Sequence, residues 1–289
     1  MINENRLFYE YIVITYAVGD FIAFESFLTD KEKANLKEII CFSKGKCIPH
    51  FECVKKSKFY NKDCKKICVE RPDGIDDFKI RNKLLINYLN KNPKIDKNKI
   101  LIDYNFYNGN DEYKEIIENQ NLKNYSFIKQ KLCEIDKFKL PQKYTSISAW
   151  SYYYKKNKAF DIEDWYETIK ILKSNNIKGV ILNDQKWYLD NLWFKEMIKE
   201  DCFINLTGET NYFEAIEIVK NSKGFIGIDG SLSVIATQAL QEKSIIIKAF
   251  KKSGAYTRTN YFYSNLKTKS CLTEKIKLNK FKFRTCSIF

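Results

Sequence analysis

The chain has 289 residues, more than one small module needs and enough for two domains that each bury a core. Its 50 Lys and Arg against 36 Asp and Glu leave a formal charge of +14, which favours anionic partners: nucleotides, nucleic acid or acidic lipid headgroups. Nine cysteines, an odd number, argue against a fully paired disulfide framework and fit a reducing cytoplasm, and a single histidine leaves little room for a Ser-His-Asp triad.

The first apolar run, YIVITYAV (11–18), is too short to span a bilayer or to follow the layout of a signal peptide. It reads as a strand. GDFIAFESFLTD (19–30) then places Phe21, Ile22, Phe24 and Leu28 on one side of a helix, so the pattern is strand, glycine turn, helix. LKEIICFSK (36–44) reads as a second strand. Residues 45–75 are rich in lysine and cysteine with only weak periodicity, and KNKILIDYNFY (97–107) gives another strand. Pro141, in KFKLPQKYTSISAW, suggests a boundary between a domain of residues 1–140 and one of 141–289.

The second half is more regular. Strands over 144–149, 178–184 and 202–208 alternate with helices over 162–176, 189–200 and 211–222, and KGFIGIDGSLSVIATQALQEKSIIIKAF (223–250) closes the series as strand, turn, helix, strand. Such alternation predicts an α/β fold with a parallel sheet and crossover helices. Parallel sheets bind ligands beyond the carboxyl ends of their strands, where a helix begins with unpaired N–H groups. In GFIGIDGSLSVIATQAL the strand is expected over 225–228, the turn over Asp229–Ser231 and the helix over 232–240. A plain N-cap role for Asp229 or Ser231 is the alternative to ligand binding.

This stretch resembles the C-terminal signature of glycosyltransferase family 9, the heptosyltransferase-like enzymes. There a strand ending in Gly-x-Asp leads to a Ser/Thr-Gly-Leu-Ser/Met-His turn, an alanine-rich helix and another apolar strand. Three further segments resemble the same family in the same order: VITYAVGDFIAFESFL (13–28) its opening strand and Gly-Asp turn, KAFDIEDW (158–165) its Lys-x-Trp-Pro-x-x-x-Trp segment, and INLTGETNYFEAIEIVKNS (204–222) its Leu-x-Gly-x-Thr-x-x-x-Glu segment. Several positions depart from the pattern. Ser26 replaces a proline, Phe160 the first tryptophan, Gly230 a Ser or Thr, and Val234 the histidine.

The resemblance implies a GT-B architecture, two Rossmann-like domains facing across a cleft, with the acceptor held mainly by the first and a nucleotide sugar by the second. It implies an inverting transfer from a nucleotide-diphosphate donor to a glycan or glycolipid, with no further cofactor. Such a reaction needs a base for the acceptor hydroxyl and positive charge for the departing diphosphate. Asp20, at the end of the first strand, is the candidate base, with helix capping as its alternative. Lys158 is the candidate diphosphate contact, although Lys155 and Lys156 stand close and a solvated lysine run is the plainer reading.

Gly230, Ser231, Leu232 and Ser233 are expected to meet the diphosphate or ribose through amides and hydroxyls, with Asp229 on a sugar hydroxyl or ordering the turn. Thr207, Gly208 and Ser148 line the same site. No Asp-x-Asp motif follows a strand, which is consistent with transfer that needs no metal. A cytoplasmic protein, peripheral at an anionic inner membrane surface, would suit the charge. Modified DNA is an alternative acceptor, and a non-catalytic nucleotide- or nucleic-acid-binding protein of the same fold an alternative role.

Two segments lie outside this scheme. Cys41, Cys47, Cys53, Cys64 and Cys68 cluster with His50, but no Cys-x-x-Cys pair occurs and ordinary reduced thiols are expected rather than a structural metal. KIKLNKFKFR (275–284) alternates basic and apolar residues and reads as a basic edge strand.

Overall fold

A computed structural model of the chain describes residues 9–14, 18–25, 28, 30–44, 63–71, 78–102, 130–149, 160–183, 192–228, 230–240, 243–248 and 269–272. The chain divides into two compact units, Met1–Ser126 and Phe127–Phe289. Each is an α/β layer structure, and every described strand pairing is parallel.

In the first unit, β1 (Tyr11–Ile14) leads to α1 (Val18–Glu25), and a short α2 (Asp30–Asn35) precedes β2 (Glu38–Lys44); β3 (Lys65–Arg71), α3 (Phe78–Lys91) and β4 (Ile100–Ile102) follow. The strand order is β3-β2-β1-β4. Central strands of a parallel sheet are covered on both faces, so Ile12, Ile39 and Ile40 are fully buried, and Tyr11, Ile40 and Phe42 pack with Leu85 of α3. At the amino end of the sheet, Glu10 pairs with Lys37 at 2.6 Å and Lys99 at 2.7 Å, and these two hydrogen bonds hold its carboxyl below the usual range.

Sequence and structure differ here in three places. The helix expected over 19–30 ends at Glu25 and a separate α2 starts at Asp30, where Glu25 meets Lys33 at 3.6 Å with both side chains buried, so that neither charge is left alone. The strand expected over 97–107 starts after a 3-10 turn, Lys97–Lys99, with its described part at Ile100–Ile102. Strand β3 arises inside the aperiodic 45–75 region; it is an edge strand whose Ile67 and Val69 are only half-buried, and its charged ends mask the pattern.

The second unit carries β5 (Tyr144–Ser148), α4 (Ile162–Ser174), β6 (Lys178–Ile181), α5 (Leu192–Met197), β7 (Phe203–Asn205), α6 (Tyr212–Asn221), β8 (Gly224–Ile228), α7 (Ser231–Leu240), β9 (Ser244–Lys248) and β10 (Lys269–Leu272). Its strand order is β10-β9-β8-β5-β6-β7. That is the doubly wound plan. The chain builds outward from β5 through β6 to β7, then returns to the other side of β5 and builds outward again, so the order reverses between β5 and β8. The first unit has the corresponding reversal between β1 and β4.

Helix α4 buries Trp165, Thr168, Ile169 and Leu172, positions that recur at helical spacing. Trp165 is fully buried, with the rings of Phe160 and Phe194 each at 5.3 Å and Phe203 at 5.6 Å. Residues 130–140, ahead of Pro141, are tied to α6 of this unit. Leu132 N donates to Glu217 Oε1 at 2.7 Å, Lys220 Nζ donates to the Gln130 carbonyl at 2.7 Å, and Lys137 pairs with Glu214 at 2.6 Å. Of the C-terminal stretch, β10 at 269–272 forms a parallel edge strand against β9, while 275–284 lies outside the described residues.

Candidate functional site

The reversal point of the second sheet brings the ends of β5 and β8 side by side, with Ser148 opposite Gly227. Only glycine fits there: a Cβ on Gly227 would stand 2.8 Å from the Ser148 carbonyl oxygen and 2.5 Å from the Phe225 ring. Ser148 therefore sits directly beside the strand that feeds α7. Phe160 N donates to the Ala149 carbonyl at 2.8 Å, which returns the chain to the end of β5 just before α4. Lys158, two peptide bonds upstream of Phe160, lies outside the described residues, as does Asp229.

Helix α7 begins without a side-chain cap from its preceding residue. Gly230 stands there, its N–H donates to Ser233 Oγ at 2.8 Å, and the Ser233 hydroxyl donates back to the Gly230 carbonyl at 2.6 Å. The helix's own bonding starts at Val234 N, which donates to the Gly230 carbonyl at 3.2 Å. The amides of Ser231 and Leu232 thus have no acceptor within the helix. A Cβ built on Gly230 would meet nothing among the described residues within 4 Å, so there is room beside the start of the helix. The helix expected from Leu232 starts one residue earlier, so Ser231 is its first residue and the alternative N-cap role falls away for it, while Ser233 closes the turn. Val234, where the family has histidine, is fully buried and faces the core.

Thr207 and Gly208 lie at the end of β7, on the far side of β6. Gly208 takes a left-handed φ of 74°, and its N–H donates to the Asn183 carbonyl at 2.7 Å, while Leu206 N donates to the Ile181 carbonyl at 3.0 Å. Backbone pairing of β6 with the β7 end thus runs on past the strands and sets Asn183 beside Thr207. Both are buried, and among the described residues neither the Asn183 amide atoms nor Thr207 Oγ1 has a hydrogen-bond partner. The sequence reading passed over Asn183; the available signal was an asparagine directly after the apolar run GVIL.

Ser148, Gly230, Ser231, Leu232 and Ser233 are therefore brought together at the reversal point, and Thr207 and Gly208 stand two strand spacings from β5, about 10 Å along the same edge. In the first unit Asp20 is the third residue of α1, the helix entered from β1 at that sheet's reversal.

Among the described residues no group of three or more His, Cys, Asp or Glu is placed to hold a metal ion. Cys41, Cys64, Cys133 and Cys202 form no disulfide among the described residues, and burial pushes the Cys64 thiol up to about 11; Cys47, His50 and Cys53 lie outside the described residues. No helix among the described residues is long and apolar enough to cross a membrane.

Residues 112–280 match the sequence model of glycosyltransferase family 9 (heptosyltransferase), more than half of the chain. The chain belongs to glycosyltransferase family 9. It is accordingly a glycosyltransferase, and its α/β fold is that of the GT-B heptosyltransferases. A family 9 glycosyl transferase from Veillonella parvula superposes with a TM-score of 0.55 at 13% identity, over 93% of this chain and 87% of that one. The E. coli ADP-heptose LPS heptosyltransferase II does so with 0.52 at 12% identity, over 92% and 91%. E. coli heptosyltransferase WaaC, solved with ADP, gives 0.51 at 10% identity, over 90% and 92%. No curated protein matches this family 9 chain in sequence.

Proposed function

We propose that this family 9 enzyme transfers a sugar, with inversion and without a metal ion, from a nucleotide-diphosphate donor to a glycan or glycolipid acceptor. The observation that carries the reading is the uncapped N-terminus of α7 at the reversal point of the second sheet, with no described residue within 4 Å of a Cβ at Gly230 and the end of β5 alongside. Unpaired helix amides and the positive end of the helix dipole attract a diphosphate. Lys158, just ahead of Phe160 in the sequence, supplies a full positive charge as the sugar–phosphate bond lengthens.

The displacement itself is simple. An acceptor hydroxyl oxygen bonds to the anomeric carbon, the bond to the donor phosphate oxygen breaks, and the nucleoside diphosphate leaves with that electron pair. Asp20 takes the acceptor proton. The basic surface implied by the +14 charge suits work beside an anionic membrane on the cytoplasmic side.

A thermal-shift and turnover series tests this. Nucleoside diphosphates should stabilise the protein; Asp20→Asn should abolish transfer and leave donor affinity nearly intact, and Lys158→Ala should weaken both. Turnover by Asp20→Asn above about a tenth of wild type removes Asp20 from the mechanism. Activity lost to a chelator and restored by magnesium or manganese removes the metal-independent route.

A further inference from the structure

We propose that Asn183 and Thr207 form the determinant that selects the nucleobase of the donor, a role that rests on the nucleotide-sugar reading above. Three observations meet here. First, Asn183 and Thr207 are 5% and 3% exposed, and the Asn183 Oδ1 and Nδ2 and the Thr207 Oγ1 have no hydrogen-bond partner among the described residues. Buried polar atoms are almost always satisfied, so three orphans at adjacent strand ends are polar groups still waiting for a partner.

Second, the pair is held rigidly from below. Gly208 N donates to the Asn183 carbonyl at 2.7 Å, and Thr207 N donates to Asn205 Oδ1 at 3.2 Å, so the backbones of both residues are fixed while their side-chain tips stay unused.

Third, the distance is right for one molecule. With the diphosphate at the start of α7, beyond β8, the edge runs past β5 to β6 and β7, two and three strand spacings away, about 10 to 14 Å. An extended nucleoside diphosphate covers that span, which sets its base over Asn183. An asparagine amide offers one donor and one acceptor side by side, the complement of a base edge that carries the same two groups in the opposite order. Shielded atoms of this kind discriminate sharply, because a base with the wrong edge leaves them unpaired.

The test uses the full-length enzyme and four probes, ADP, GDP, UDP and CDP, titrated against wild type, Asn183→Leu and Thr207→Val, with melting temperatures of the free proteins measured alongside. Wild type should prefer one base over the others by at least about tenfold, and Asn183→Leu should shrink that preference to within about threefold. Thr207→Val should shrink it less, and its smaller change keeps the test open if the leucine variant does not fold. Both free variants should melt at or above the wild-type temperature, since each removes unsatisfied buried atoms. A preference that persists unchanged in both variants, or a wild type that binds all four equally, overturns the assignment. A wild type that binds none overturns the nucleotide-sugar reading itself, and this inference with it.

Discussion

Three helices of the second unit begin just past strand ends, and they begin differently. At α4 the Asp161 carboxylate accepts from Asp164 N at 2.9 Å while Asp164 accepts from Asp161 N at 3.0 Å; at α6 Asn211 and Glu214 make the same reciprocal pair. Both ends are closed by their own side chains. At α7 the corresponding position is Gly230, which brings no side chain, and Ser233 turns back on the Gly230 peptide instead of capping forward. The closed ends serve the fold, and the open one lies at the sheet's reversal point. A helix start that gives up a side-chain cap, at about a few tenths of a kcal/mol with glycine in its place, keeps its amides for something else.

The sharpest way to break this contrast is to close the open end. The Cβ of a residue at Gly230 meets nothing, so Gly230→Asp fits and supplies the missing cap. Its carboxylate then occupies the anion's place. Nucleoside diphosphate affinity should fall at least about tenfold, about 1.4 kcal/mol, with the melting temperature held or slightly raised. Equal affinity in a calorimetric titration would show that no anion uses this helix end.

The converse operation belongs at the other two helices. Asp161→Ala and Asn211→Ala should each cost about 1 kcal/mol in chemical denaturation and leave nucleotide affinity alone. At α6 the loss should sit at the upper end, because the box is braced from outside: burial works against the charge of Glu214, but Lys137 and the Asn211 amide outweigh it and hold that carboxyl below its usual range. If Asn211→Ala weakens nucleotide binding more than stability, α6 is part of the site and the contrast with α7 dissolves.

How far the sequence foretold these helix starts depends on what each signal rests on. Alternation of strand and helix over 144–248 was legible because core positions such as Trp165, Ile169 and Leu172 follow a strict period. The small residues ahead of α7 marked its start to within one residue, at Ser231 rather than Leu232. Strand β3 was not, since an edge strand with half-buried Ile67 and Val69 needs no apolar pattern. The tie of 130–137 to α6 was hidden for another reason: it is made by a backbone amide, a carbonyl and two lysines separated from their partners by 77 to 90 residues, and no local pattern records such pairs. Asn183 escaped because an orphaned amide is visible only once its neighbours are placed.

The smallest effect expected concerns pH at the closed end of α4. Burial, the largest influence, raises the Asp164 carboxyl to about 6; the Asp161 amide pulls it down, and the Asp161 and Glu163 carboxylates push it up. A carboxyl whose folded value lies above its unfolded one binds more protons in the native state between the two, so stability falls as pH rises through that window, here from about 4 to about 6. The contribution is complete below the unfolded value and gone above the folded one. Asp164→Asn keeps an oxygen that accepts from Asp161 N but cannot ionise. Relative to wild type, the asparagine variant should therefore gain stability between pH 4 and pH 6.5 and hold a constant difference above it, by well under the full linkage value because the side chain is only partly shielded. Melting curves of the two proteins across that range measure the difference directly. A difference that does not change with pH would mean that Asp164 is ionised throughout, with the Asp161 amide outweighing burial. The α4 cap would then be as indifferent to acid as a neutral one.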